Sequence, residues 1–111
     1  MSFFENKEIK ERKKELSLEP NDPAAHFNLG AAYDKAGKLH DAIKEFEATI
    51  KIHPNSAEAH FNLGVLYESV NQGEKAIVHI LKAGNLFGDK NDAVNKMESR
   101  RLLKEFYKKF G

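Results

Sequence analysis

Apolar residues recur at helical spacing along most of this chain. At about 100° per residue, Ala25, Leu29, Ala32, Tyr33 and Ala36 gather into one stripe, which predicts a helix buried along that side. A second stretch carries Leu39, Ala42, Ile43, Phe46, Ile50 and Ile52, with Gly37 as the turn before it and Pro54 as its end, because proline cannot continue the hydrogen-bond ladder. Gly30 sits beside the first stripe. Without a Cβ there, a second helix can approach closely, with the small Ala42 facing it. The two stretches therefore predict a helix hairpin.

The same letters then return. Residues 25–30 and 59–64 both read AHFNLG, and laying residues 23–56 over 57–90 without a gap also pairs Tyr33 with Tyr67, Ala42 with Ala76 and Ile43 with Ile77. A fixed period of this size indicates stacked hairpins, each unable to bury its apolar face alone. In the second copy Asn71 takes the place of Gly37, and asparagine tolerates a left-handed turn. Gly73 takes the place of Leu39, which removes packing and predicts a softer turn near residues 70–74. The flanks read as partial units. Residues 9–20 align with the end of a hairpin, matching Leu16, Leu18 and Pro20 to Ile50, Ile52 and Pro54. Residues 92–110 predict a last helix, capped by Asn91 or Asp92, with Val94, Met97, Leu103, Phe106, Tyr107 and Phe110 on its apolar side.

The spacing His26-x2-Leu29-Gly30-x2-Tyr33, then Ala42-x3-Phe46, then Pro54, resembles the tetratricopeptide repeat, with His26 in place of the family's leading aromatic. The second copy, His60-x2-Leu63-Gly64-x2-Tyr67 and Ala76-x3-Ile80, follows it up to Gly88, where the family has proline and the end is looser. The resemblance implies an all-α, antiparallel helix-hairpin repeat stack coiled as a right-handed superhelix of about six helices. It implies one domain over 1–111, made of an N-terminal half-repeat or cap (1–22), repeat 1 (23–56), repeat 2 (57–90) and a C-terminal capping helix (91–111). Glu98 and Arg101, where a third unit would have glycine and tyrosine, speak against a third repeat.

On the side away from each buried stripe lie Phe27, Ala31 and Asp34, flanked by Asn28 and Lys35, and then Phe61, Val65 and Glu68, flanked by Asn62, Glu58 and Ser69. A large apolar residue there needs a reason, since a free face is ordinarily charged. In the family this face lines a concave groove. By resemblance Phe27, Asn28, Ala31, Lys35, Phe61, Asn62, Val65, Ser69 and Lys96 line a peptide-binding groove, unless the phenylalanines serve mainly in packing. Two primary amides at matching positions suit an extended peptide backbone, each offering a donor and an acceptor. One groove type of the family grips a C-terminal carboxylate with lysines and asparagines. The matching positions here include Phe27 and Ala31, and only Asn62 and Lys96 agree, so that clamp is not reproduced. Asp34, Glu58, Glu68 and Asp92 against Lys35 and Lys96 make an acidic tail a poor ligand for this face.

Composition narrows the chemistry. The 111 residues are 41% hydrophobic and 32% charged, enough for one core and too apolar for a disordered chain. With no cysteine, disulfides, thiolate metal sites and cysteine nucleophiles are excluded. His26 and His60 occupy the place of a packed aromatic, and His40, His53 and His79 lack ligand spacing, so no metal or cofactor is expected. No nucleophile triad, phosphate loop or carboxylate pair stands out, and an enzyme is not expected. No signal peptide or membrane span is predicted, which makes the cytoplasm the default location. Residues 91–111 hold six basic and three acidic side chains, among them Lys96, Arg100, Arg101, Lys104, Lys108 and Lys109, read first as a solvated face and not as a nucleic-acid site. The expected function is a non-catalytic adaptor or assembly factor binding a protein or peptide. The alternative is a self-associating scaffold, a homo-oligomer in which Phe3 and Phe4 dock on another subunit.

Overall fold

A computed structural model describes residues 6–111, so Phe3 and Phe4 lie outside the described residues. Six helices and no strand are present among them: α1 (Lys7–Leu18), α2 (Pro23–Lys35), α3 (Leu39–Ile52), α4 (Ala57–Ser69), α5 (Gly73–Asp89) and α6 (Ala93–Phe110). They form two compact units, one ending at Pro54 and the other beginning at Asn55.

Helix ends follow from short-range chemistry. The Asp22 carboxylate accepts from Ala24 N at 2.9 Å, ahead of Pro23 in the first turn of α2, where a missing N–H costs nothing. Thirty-four residues on, the Ser56 hydroxyl accepts from Ala59 N at 3.2 Å and starts α4. Both first helices stop in the same way. Gly37 and Asn71 adopt φ of 76° and 61°, and the next residue's N–H reaches back to the carbonyl of Tyr33 or Tyr67 (2.9 and 2.8 Å). Asn91 (φ 58°) ends α5 by the same motif, through Asp92 N to Phe87 O at 2.9 Å, and Asp92 alone is the cap of α6. Helix α5 thus runs past Gly88, where the family pattern has proline, to Asp89, within the bounds 57–90 expected of its repeat.

In the first unit α2 packs between α1 and α3. Ile9, Leu29 and Ala32 are buried together, with Leu16 and Tyr33 half-buried beside them. The expected stripe on α2 holds except at its end, where Ala36 is the exposed C-cap residue. Leu18 and Ile52, paired by the repeat, are both exposed, since each ends its helix.

The glycine crossings differ in what they meet. A methyl built on Gly30 would come within 3.1 Å of the Phe46 ring, so Phe46, and not Ala42, fills the opposing position. A methyl on Gly64 would stand 3.1 Å from Ile80 N and 3.3 Å from Ala76 O, which means that backbone meets backbone in the second hairpin.

The last helix departs from expectation. Val94, Met97 and Tyr107 are exposed, while Ser99 and Phe106 are buried and Leu102, Leu103 and Phe110 half-buried. The cause is the close approach of α5 and α6, where a methyl on Gly84 would lie 3.3 Å from Ser99 Cβ. Small residues at that crossing turn the helix so that 99, 102, 103, 106 and 110 face inward. Phe110 also answers the missing leucine at position 73: a Cβ on Gly73 would overlap its ring. The packing expected to be lost at that turn is supplied from the far end of α6.

Alanine gains helix propensity over glycine at either crossing, about 0.5–1 kcal/mol. Gly64→Ala must displace backbone to do so, whereas Gly30→Ala pushes only on a ring. Gly64→Ala is therefore expected to lower stability by about 1–2 kcal/mol relative to Gly30→Ala in urea denaturation. Equal stabilities would contradict the assigned crossing.

Candidate peptide-binding faces

Positions 27, 28, 31 and 35 share one side of α2 by their helical spacing, and 61, 62, 65 and 69 share the matching side of α4. Each unit carries one such set. Within them the phenylalanines are corrected from the expected orientation. Phe27 packs edge-on against Phe46 of its own hairpin, ring centroids 5.2 Å apart, and Phe61 against Phe87 at 6.3 Å. Both are half-buried, and Phe61 leans on a buried cluster of Ala57, Ala83, Leu86 and Phe87. Residue 27 stands one turn before Gly30, so the ring that fills the space over that glycine also receives Phe27. Aromatic side chains on these faces are consequently part of the hairpin core first.

The other members remain more accessible. Asn28 and Ala31 are exposed, Asn62 is half-buried, and Val65 is 37% exposed. Neither asparagine side chain has a protein hydrogen-bond partner among the described residues. Lys35 reaches Glu8 of α1 at 3.1 Å, an exposed pair of small energetic weight. Ser69 donates back to Val65 O at 3.1 Å. Glu68, on the same side of α4, pairs with Lys109 at 2.7 Å. Lys96 stands apart from the α4 set, on α6 against α5, where a methyl on Gly88 would lie 3.2 Å from its Nζ.

The histidines hold the hairpins in two chemically different ways. His26 Nδ1 lies 2.9 Å from Glu45 Oε1 and Nε2 lies 2.8 Å from Pro20 O, so both ring nitrogens face oxygen acceptors. In the second hairpin the equivalent pair is His60 and His79, Nδ1 to Nδ1 at 3.0 Å, with Tyr67 stacked on His79 and Lys75 Nζ 5.3 Å from the Tyr67 ring centroid. Inter-helix packing, the role expected of His26 and His60, is what they show. Their partners were not read from the sequence, although Glu45 and His79 sit nineteen residues after His26 and His60, and that shared spacing was the available signal. No group of three or more metal-binding side chains occurs among the described residues, and no described helix is long and apolar enough to cross a membrane.

A hydrogen bond between two imidazole nitrogens requires that one ring donate and the other accept. His79→Ala removes that bond and the stacking on Tyr67, and is expected to lower stability by about 1–2 kcal/mol in urea denaturation. An unchanged midpoint would show that the contact does not hold the second hairpin together.

Comparison with known proteins agrees with this architecture. A family model described as TPR repeat matches residues 33–71, and one described as tetratricopeptide repeat matches residues 13–44. Among solved structures, the type III secretion translocator chaperone SycD of Yersinia enterocolitica superposes with a TM-score of 0.86 at 16% identity, over 91% of this chain and 70% of that one. YrrB, described as a TPR protein with an unusual peptide-binding site, gives 0.72 at 26% identity over 84% of this chain and 46% of its own, so this chain spans less than half of YrrB. MamA gives 0.66 at 22% identity, over 91% and 67%. The likeness to SycD and MamA is one of fold. No curated protein matches the sequence. The chain shares a helix-hairpin repeat fold with them. The chain belongs to the tetratricopeptide repeat family.

Proposed function

We propose that this chain is a non-catalytic adaptor or assembly factor, acting in the cytoplasm, that binds an extended segment of a partner protein through its first-helix faces. The observation that carries the reading is the repeated, unpartnered primary amide of Asn28 and Asn62, each next to a phenylalanine already anchored in its hairpin. An amide held on a rigid helix offers a donor and an acceptor to a peptide backbone without first losing a protein bond. Ala31 and Val65 give each amide an apolar neighbour one turn on, with Lys35 and Ser69 as the polar margin and the outer parts of Phe27 and Phe61 as further contact. The description of YrrB as a TPR protein with a peptide-binding site supports a peptide as the class of ligand.

Residues 1–111 are proposed to act as one binding domain, so that both faces engage the same partner. Asn28→Ala and Asn62→Ala should then each weaken one captured partner by about 1–3 kcal/mol, about five- to a hundredfold, in titration calorimetry. Melting temperatures should barely move, because neither side chain bonds within the fold. A partner bound as tightly by the double variant as by wild type would refute this face, and loss at only one site would refute joint engagement.

A further inference from the structure

A second surface lies wholly within the unit that begins at Asn55, across α5 and α6. Three adjoining hollows of about 270, 110 and 280 Å³ share walls: the first two both include Leu81 and Asn85, and the last two both include Arg100. The first is lined by α5, at 78, 79, 81, 82 and 85, with His60 of α4; the second lies between α5 and α6; the third is lined by α6 alone, at 97, 100, 101 and 104, so the shallow trough they form runs across α5 and α6. On each of these two helices the lining positions share one side.

Two features point to one kind of occupant. The walls are apolar and open, with Val78 57%, Leu81 45% and Met97 71% exposed. The trough also holds Lys82, Arg100 and Lys104, none of which has an ion-pair partner among the described residues, and no acidic side chain lines it. The nearby carboxylates are already committed: Arg101 donates to Glu98 at 2.5 Å and to Glu105 at 2.6 Å, and its hydrogen bond holds the Glu98 carboxyl below the usual carboxylate range. Three exposed cations beside an apolar trough repel a basic segment and attract an acidic one.

We propose that this trough docks an acidic amphipathic helix of another protein, laid across α5 and α6 with its apolar stripe over Leu81 and Met97 and its carboxylates toward Lys82, Arg100 and Lys104. Such a helix presents apolar anchors at i, i+3 or i+4, and i+7. This site is independent of the asparagine faces. It also takes the opposite charge class, because those faces are flanked by Asp34 and Glu68.

The test uses the full chain and two labelled synthetic helices with identical leucine stripes, one flanked by glutamates and one by lysines, followed by fluorescence anisotropy. The glutamate peptide should bind about tenfold or more tightly than the lysine peptide, and this margin should shrink as salt is raised. Lys82→Glu/Arg100→Glu/Lys104→Glu should reverse the preference. These are surface positions, and an unchanged helical spectrum and melting temperature would confirm that the variant folds. Asn28→Ala/Asn62→Ala should leave binding of the glutamate peptide intact, so this result and the preceding one can fail separately. Equal affinity for the two peptides, no reversal in the triple variant, or binding only of an oligonucleotide that the same variant abolishes would each overturn the proposal.

Discussion

Each hairpin depends on how closely its two helices can cross, and that distance is set where a glycine faces the second helix. At Gly64 the approach brings Ile80 N and Ala76 O to within 3.3 Å of where a methyl would stand. At that proximity any side chain would have to push the facing backbone aside, and the helices lie so that Leu63, Ala76 and Ile80 are all fully buried. At Gly30 the space is occupied by the Phe46 ring, and Phe27 then packs on that ring. One sequence position thus accepts two different fillings, and the residue at 46 or 80 decides which. The α5–α6 contact applies the same constraint with Gly84 against Ser99.

Much of this was legible because it is periodic. The thirty-four-residue identity located both hairpins, the reversal at Asn71 and the two paired asparagines, since helix spacing and left-handed turns are local properties of the chain. The misreadings share another origin. The phenylalanines were placed outward from the wheel of α2 and α4 alone, yet their orientation is set by Phe46 and Phe87 on the following helix. The face of α6 was assigned to its most hydrophobic residues, but Ser99 is buried because smallness, not hydrophobicity, is what the crossing with Gly84 selects. Likewise, the glycine at 73 looked like a defect until the distant Phe110 filled it. Non-local partners decide such positions, and a single helix wheel contains none of them.

A consequence for function follows from which atoms the fold consumes. Phe27, Phe61, His26 and His60 are taken up by contacts inside their hairpins, whereas Asn28 and Asn62 retain their hydrogen-bonding groups. In the proposed reading, recognition falls to small and polar side chains held on a rigid aromatic base. That arrangement favours an extended backbone over a large apolar ligand, because the apolar surface is already largely covered.

The most direct measurement is a nitrogen-15 correlation spectrum of the side-chain amides while a captured protein partner is titrated in. The account predicts that the NH2 signals of Asn28 and Asn62 shift together and saturate at the same partner concentration, with the backbone signals of Gly30 and Gly64 nearly still. Shifts confined to α5 and α6, or large movements at the two glycines with the asparagine amides unmoved, would contradict the separation of folding from recognition.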